Sequence, residues 1–318
     1  MKALIVTPAP EGSLSGNRRT ALRWAEMLSR LSHTPQIVEE YRGEECDLMI
    51  GLHAGKSADS IARFRAERPE APLLVALTGT DLYRDLRHSE AARRSLDLAT
   101  RLIALQPLAG EELAEDLRPK LRVIHQSAEP LGDTEPPASD RFEICVLGHL
   151  RPVKDPFRTA EAVRLLPDDS RAHVLHVGSA LEPGMEQRAR REESGNPRYR
   201  WLGQLPRDEA LRVLARSRLL VLSSLVEGGA NVIGEAAVHG VPVIASRIPG
   251  SVGLLGADYP GYFPTGDTEA LAKLIRRAET DTAFHDDLRM RCESLAAVFE
   301  PEEECSAWRS LLAELFPV

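Results

Sequence analysis

A chain of 318 residues is long for one core and comfortable for two domains. Apolar residues make up 43% and charged residues 28%, the balance of an ordinary globular chain. The formal charge of −8 speaks against a sequence-independent nucleic-acid binder, which needs a basic surface, while leaving room for a local basic pocket.

The amino terminus, MKALIVTPAPEG, carries one lysine and an apolar run too short for a signal-peptide core; it reads as a first β-strand. No run reaches the ~20 apolar residues of a membrane span, so a cytoplasmic chain without a membrane partner is expected. Short apolar runs then alternate with helical patterns. Strands are expected at 3–6, 36–38, 48–52, 73–77, 102–105 and 123–125. Residues 20–31 are apolar at Ala21, Leu22, Ala25, Leu28 and Leu31, the one-face spacing of a helix, and 57–67 and 89–99 read the same way. Residues 130–141, PLGDTEPPASDR, have no apolar period and read as a linker. A second alternation follows, with strands at 142–147, 173–177, 199–202, 219–222 and 241–245 and a short one near Tyr262. Its clearest helices are 156–166, 208–215 and 231–239, and the tail from Asp267 is helical with a break at Pro301.

Alternation of this kind predicts a parallel sheet covered by helices on both faces, here twice over. The expected division is an N-terminal domain at 1–130, a linker at 131–141, a C-terminal domain at 142–298, and a closing helix at 299–318 that packs back on the N-terminal domain. Ligands of such sheets bind beyond the carboxyl ends of the strands, so two sheets facing each other would place the site in a cleft between them. The four cysteines, Cys46, Cys145, Cys292 and Cys305, form no CxxC pair and no zinc spacing, and read as buried thiols in a reducing compartment. Asp168-Asp169 and Asp286-Asp287 read as turn and helix-surface charge, not as a metal motif at a strand end. Neither a metal nor a cofactor is expected.

The chemistry gathers at strand ends. After the strand at 219–222 the chain reads SSLVEGGANVIGEAAVHGVPVIAS. Gly228 and Gly229 let backbone approach a ligand, and the helix starting at Ala230-Asn231 offers unpaired N–H groups that favour an anion such as phosphate. Glu227 precedes that helix. Glu235 lies about one turn in, where a carboxylate accepts hydrogen bonds from vicinal hydroxyls. After the strand at 142–147 the chain reads LGHLRPVKDP: Gly148 turns it, and Arg151 and Lys154 stand before a helix opening at Pro156. In the first half, Ser13, Ser15, Gly16, Asn17, Arg18 and Arg19 make a small basic anion site at a helix start. His53 and Lys56 follow the third strand, with Ser57 as a helix cap. Thr78, Gly79, Thr80 and Asp81 follow the fourth. His125 sits at the last strand before the linker, and Gln126 and Ser127 after it are hinge or acceptor candidates. The plain alternatives are an ordinary turn with an exposed helix glutamate for Glu227 and Glu235, a solvated loop for Arg151 and Lys154, a flexible loop with an Asn or Thr cap for residues 13–19, and a structural histidine at His53.

E-x7-E followed by E-A-x-x-x-G-x-P-V-I-A, here Glu227 to Glu235 and on through Gly240 and Pro242 to Ala245, resembles the signature of GT-B glycosyltransferases of the GT4, glycogen-synthase-like type. The resemblance implies an α/β GT-B fold, two doubly wound Rossmann-like domains facing a central cleft. It implies Glu227 at the donor sugar and Glu235 at the ribose of the nucleotide. The family's G-R-L-x-x-x-K is similar to the segment from Gly148 to Lys154. His149 holds the usual arginine place, so the arginine role is assigned to Arg151. Glu227, Arg151 and Lys154 are then the expected catalytic group, and Gly148, Gly228, Gly229, Ala230, Asn231 and Glu235 the donor-binding group. The acceptor-binding group is Gly16, Asn17, Arg18, Arg19, His53, Lys56, Thr78, Gly79, Thr80 and Asp81. Relatives often carry an H-G-x-D-like segment where threonine stands at position 78, leaving His53 as the nearest histidine.

GNRRTALRWA, LTGTDLYRDL, SLVEGGANVIGEA and GLLGADYPGYFPTGD together look like the SenB-type selenosugar synthases of selenoneine biosynthesis. That resemblance implies transfer of a sugar from UDP-N-acetylglucosamine or UDP-glucose to selenophosphate, forming a carbon–selenium bond, in a monomer or homodimer. Arg18, Arg19 and Lys56 would hold the incoming phosphate group, and Arg151, Lys154 and the helix start after Gly229 the departing diphosphate. Three rivals stand beside it: a general GT4 transferase with a small hydroxyl acceptor, a GT-B epimerase, and a nucleotide-sugar-binding regulator without turnover.

Overall fold

The computed structural model describes residues 1–13 and 15–317. Leu14, in the loop before the first helix, and Val318, at the end of the expected closing helix, lie outside the described residues. The chain divides into two units. The first comprises Met1–Gln126, Glu227–Gly229 and Pro301–Val318; the second comprises Ser127–Val226 and Ala230–Glu300.

In the first unit β1 (Lys2–Val6), α1 (Gly16–Arg30), β2 (Thr34–Val38), β3 (Leu48–Leu52), α2 (Ala58–Glu67) and β4 (Leu73–Leu77) follow one another. A single wide turn at Asp81–Asp85, the short α3 (Leu86–His88), α4 (Glu90–Leu98), β5 (Arg101–Ala104) and β6 (Leu121–Val123) complete the alternation. The sheet order is β2-β1-β3-β4-β5-β6, parallel throughout. Strand residues point to alternate faces, and both faces are apolar. Leu4, Val6, Met49, Leu73, Val75 and Leu77 pack with Ile61 and Phe64 of α2 and Leu96 of α4. Ala3, Ile5, Leu48, Ile50, Leu74 and Ala76 pack on the other side with Trp24 and Leu28 of α1. This is why the strands read as near-continuous apolar runs in the sequence. The last strand forms two residues ahead of the expected 123–125, although Ile124 N–H still donates to Ala104 O.

The second unit repeats the plan with β7 (Phe142–Leu147), α5 (Arg158–Arg164), β8 (Ala172–Val177), α6 (Met185–Gly195), β9 (Tyr199–Gly203), α7 (Arg207–Ala215) and β10 (Leu219–Leu222). Then come α8 (Asn231–Val238), β11 (Val243–Ser246), α9 (Pro249–Leu255), β12 (Tyr262–Phe263), α10 (Thr268–Thr280) and α11 (Thr282–Ser294). Its sheet, also parallel, runs β12-β11-β10-β7-β8-β9. The helix expected from Pro156 opens two residues later. Pro152–Lys154 forms a tight 3₁₀ turn first, and Asp155 leaves it in the left-handed region at φ 45°, which stops a continuous helix. The segment 127–141 forms no helix or strand. Ala128 N–H donates to Phe299 O and Leu131 N–H to His239 Nε2, which tie its start to the second unit.

Pro301 opens a helix, α12 (Pro301–Leu315), whose residues belong to the first unit. Trp308 meets Trp24 edge to face at 5.0 Å between ring centroids, and Trp24 Nε1–H donates to Glu304 Oε1 at 3.2 Å. Arg101 and Arg122 from β5 and β6 bracket Glu314. Trp308 is fully buried, yet its own Nε1–H has no hydrogen-bond partner among the described residues. Trp308→Ala should therefore cost the first unit about 3–5 kcal/mol in denaturant unfolding. Trp308→Phe, which keeps an aromatic ring and discards an unpaired donor, should cost less than half of that.

Candidate active site

Strand order alone marks two places. In the second unit the chain winds outward from β7 in both directions, so its topological switch point lies between β7 and β10. In the first unit it lies between β1 and β3. Crevices outside the carboxyl ends of the strands at such points are where open α/β sheets bind ligands. The loops leaving β7 and β10 carry Arg151–Lys154 and the Gly-Gly turn. The loops leaving β1 and β3 carry the helix start at Gly16 and the His53/Lys56 pair. The basic and glycine-rich clusters of the sequence thus fall on the two switch points.

Direct hydrogen bonds join the two loops of the second unit. Leu225 N–H donates to Val153 O at 2.9 Å. Ser223 Oγ donates to Asp155 O at 2.9 Å and to Lys154 O at 3.2 Å. Asp155 accepts from Arg158 Nε at 2.7 Å, and Arg158 also reaches Thr268 Oγ1. Lys154 is half-buried on this braced turn and Arg151 is exposed at its start. Behind them His176 Nε2 lies 3.0 Å from Gly148 O and its Nδ1 3.0 Å from the Tyr199 hydroxyl. A carbonyl only accepts, so Nε2 carries the proton and Nδ1 accepts from the phenol. The ring is fully buried, and desolvation drives its pKa down to about 4 against the raising effect of the Gly148 hydrogen bond. Gly178, at φ 155°, lies flush on Gly148, whose carbonyl oxygen a Cβ there would overlap. His149 is held by Ser179 N–H donating to its Nδ1 at 3.1 Å.

Ala230, the N-cap of α8, makes no side-chain cap, and Asn231 is half-buried at its start. Glu235, one turn in, is 4% exposed. Its Oε1 accepts from Arg207 Nη1 at 2.8 Å, so one carboxylate oxygen already has a partner. Arg207 was not among the expected site residues. It opens a different helix, α7, and no spacing in the sequence relates it to Glu235. The block 256–263 has a structural use. The Tyr259 hydroxyl donates to Val243 O at 2.6 Å and accepts from Val243 N–H at 3.2 Å, while the Tyr262 hydroxyl donates to Gly256 O at 2.8 Å. Two phenols satisfy backbone groups where the sheet runs out at short β12.

The first unit takes in Glu227, Gly228 and Gly229, and Gly228 packs on the loop after β4. A Cβ on Gly228 would stand 2.5 Å from Thr78 C and 2.6 Å from Gly79 N, and one on Gly229 would strike the Leu105 side chain. Gly228 is thus required by close backbone packing and Gly229 by its contact with Leu105. Asp81 is fully buried, and its carboxylate accepts from Thr78 N–H at 3.0 Å, Gly79 N–H at 2.8 Å and Ala54 N–H at 3.1 Å. Asp81 was expected to face the acceptor; it shapes the loop instead, because both its oxygens are engaged by backbone. His53 sits at φ 71°, with Nδ1 accepting from Lys56 N–H at 3.2 Å. Its Nε2–H then donates to Thr80 Oγ1 at 3.2 Å and lies 3.6 Å from Asp85. Burial lowers the His53 pKa, against opposing pulls from Asp81 and Asp85, and favours the neutral ring.

Ser57 Oγ donates to Leu52 O at 2.7 Å and does not cap α2. Lys56 is exposed, and Thr78 and Thr80 are half-buried. The start of α1 is capped by Ser15, whose Oγ accepts from Arg18 N–H at 3.3 Å. Gly16 and Arg19 are exposed there, and Asn17 and Arg18 half-buried. Gln126 Nε2 donates to Thr20 Oγ1 at 2.8 Å, a brace on the back of α1. The thiols of Cys46, Cys145 and Cys292 are buried and Cys305 is half-buried. Among the described residues no group of three or more His, Cys, Asp and Glu is arranged to hold a metal ion, and no helix is long and apolar enough to cross a membrane.

Two consequences are measurable. Gly228→Ala should cost about 1–3 kcal/mol of stability through overpacking and reduce turnover at 25 °C, read by denaturant unfolding and initial rates. His176, neutral in the fold, adds a pH term. Its folded pKa lies below the unfolded value of 6.5, so its favourable contribution is intact above pH 6.5 and is lost as pH falls toward 4. Between pH 7 and pH 5 that loss should be about 2 kcal/mol in the wild-type chain, and His176→Gln should lack it.

The chain matches the family model of glycosyl transferases group 1 over residues 133–296, just over half its length. It is 24% identical to the putative teichuronic acid biosynthesis glycosyltransferase TuaC of Bacillus subtilis over 308 residues, which cover 90% of this chain and 75% of the relative. It is 25% identical over 295 residues to glycosyltransferase 1 domain-containing protein 1 of Xenopus tropicalis, covering 84% and 85% of the two chains. Among solved structures it is similar to Anabaena Alr3699/HepE in complex with UDP-glucose, with a TM-score of 0.78 at 16% identity over 99% of this chain and 100% of the other. Sucrose-phosphate synthase from Thermosynechococcus elongatus gives 0.75 at 18% identity over 99% and 98%. These likenesses are of fold, the GT-B architecture of paired Rossmann-like domains. The chain belongs to the group 1 glycosyltransferases.

Proposed function

We propose that this glycosyltransferase takes its sugar from a UDP-sugar without a metal ion, and passes it to a small anionic acceptor, selenophosphate. The observation that carries the donor half is the braced switch point of the second unit. There Lys154 stands on a turn sealed to the loop after β10, and buried Glu235 lies one turn inside the helix that starts after Ala230. Helix N-termini and cations stabilise the negative charge that builds on a departing diphosphate. Lys154 acts as a point charge, exposed Arg151 as a second cation, and Glu235 accepts from the ribose hydroxyls. Glu227 orients the sugar. That Alr3699/HepE has been solved with UDP and with UDP-glucose on the same fold supports this donor class.

The acceptor half rests on the cations of the first unit's switch point, Arg18, Arg19 and Lys56, and on the sequence resemblance to selenosugar synthases. In the reaction a selenium lone pair attacks the anomeric carbon, the carbon–selenium bond forms, and the carbon–oxygen bond to UDP breaks with its electron pair. Selenium stays bonded to phosphorus in this step, and UDP carries the charge away. Such a nucleophile arrives already charged, so positioning and leaving-group stabilisation carry the rate.

The test is a reaction in EDTA of purified protein with UDP-N-acetylglucosamine or UDP-glucose, with and without selenophosphate, followed by mass spectrometry. UDP release together with a selenium-bearing sugar is expected only when selenophosphate is present. UDP release with hydroxyl compounds alone would overturn the acceptor and keep the donor. Glu235→Ala should weaken UDP binding about tenfold or more, the weight of one or two hydrogen bonds to a charged group. Lys154→Ala should lower kcat about 10²-fold while changing KM less. Unchanged kinetics in both variants would remove the donor assignment.

A further inference from the structure

The ion pair of Glu235 with Arg207 asks for a reason. A carboxylate 4% exposed is costly unless it is paired, and Arg207 Nη1 at 2.8 Å is the partner supplied. The geometry is lopsided. Only Oε1 is engaged, and among the described residues no hydrogen bond takes Oε2. Arg207 comes from the first position of α7, and its side chain is 44% exposed. One end of the guanidinium therefore holds the carboxylate and the remainder faces solvent. A charge-assisted bond of this length fixes the carboxylate plane and with it the direction of Oε2.

We infer that Arg207 is a positioning residue for the nucleotide: it fixes Glu235 so that the second carboxylate oxygen accepts from a vicinal diol. The inference rests on the donor reading given above and adds a residue to it. Its consequence is selectivity. With Oε2 aimed, a nucleotide with both ribose hydroxyls gains a hydrogen bond that a 2′-deoxy nucleotide forgoes. A site that hydrogen-bonds a hydroxyl rejects the analogue lacking it because a buried polar atom is then left unpaired. Without Arg207 the carboxylate rotates toward water and that discrimination fades.

The experiment is calorimetric titration of UDP and of 2′-deoxy-UDP into wild type, Arg207→Met, Arg207→Lys, Glu235→Gln and the Arg207→Met/Glu235→Gln pair, with melting curves for each. Wild type should prefer UDP by about tenfold, roughly one charge-assisted hydrogen bond. Arg207→Met should lose most of that preference; it should also melt below wild type, because the buried Glu235 carboxylate is left without its partner, and the Arg207→Met/Glu235→Gln pair should regain part of that loss. Arg207→Lys should restore part of it, keeping charge without the planar fork. In the Glu235→Gln background Arg207→Met should add nothing, because the two residues act as one unit. A merely structural Arg207 would weaken both nucleotides alike and leave their ratio unchanged, and that result overturns the inference. So does an Arg207→Met protein that keeps the full wild-type preference. A wild type that binds neither nucleotide, or both equally, defeats the donor reading itself.

Discussion

The buried carboxylate of Asp81 governs much of the first unit's site. It gathers the N–H groups of Thr78, Gly79 and Ala54, backbone donors from the loops after β4 and β3 that would otherwise be unpaired away from water. Bending those loops around one side chain sets the flat surface of Thr78-Gly79 on which Gly228 lies. It also fixes Ala54, next to His53, whose neutral ring then hands its Nε2–H to Thr80. The placement of the Thr80 hydroxyl against His53 and the close seat of the glycine turn are thus consequences of one saturated carboxylate. A substitution at Asp81 would act through the loops, since its own oxygens are fully occupied.

The second unit solves the same problem with neutral groups. His176 and Tyr199 form a buried chain that ends on the Gly148 carbonyl, and Ser223 closes the turn carrying Lys154. Hydrogen bonds in a low-dielectric interior are strong when satisfied and expensive when broken. This makes the turn rigid, with Lys154 half-buried on it and Arg151 exposed at its start. In the donor reading proposed above, cations preorganised in this way cost no rearrangement at the moment the leaving group departs.

Much of this was legible in the residues. The strand runs at 48–52, 73–77, 142–147 and 219–222 coincide with β3, β4, β7 and β10, because strands buried on both faces are continuous apolar stretches with no competing period. The Glu-Gly-Gly turn and the Arg151–Lys154 loop were readable because glycine, proline and basic residues at a strand end have few other uses. The missed boundaries have local causes. The helix after β7 waits for Arg158 since Asp155 adopts a left-handed conformation tied to Arg158, and Ser57 turns to Leu52 in place of the helix. The 256–263 block, distinctive as a string, completes the sheet edge through two phenols.

The sequence by itself determined the alternation of elements, the membership of a family, and which loops carry charge. Those properties depend on neighbours along the chain, and apolar period and turn chemistry record them. The tertiary structure decided which charges are free to act. Asp81 and Glu235 are both acidic residues at promising positions, yet one is saturated by backbone and the other is held by an arginine from a separate helix. His53, His149 and His176 look alike in the sequence, and only their partners fix which ring nitrogen carries a proton. The reason is that a polar side chain's role is set by what meets it in space, and those partners come from elements whose separation along the chain carries no signal.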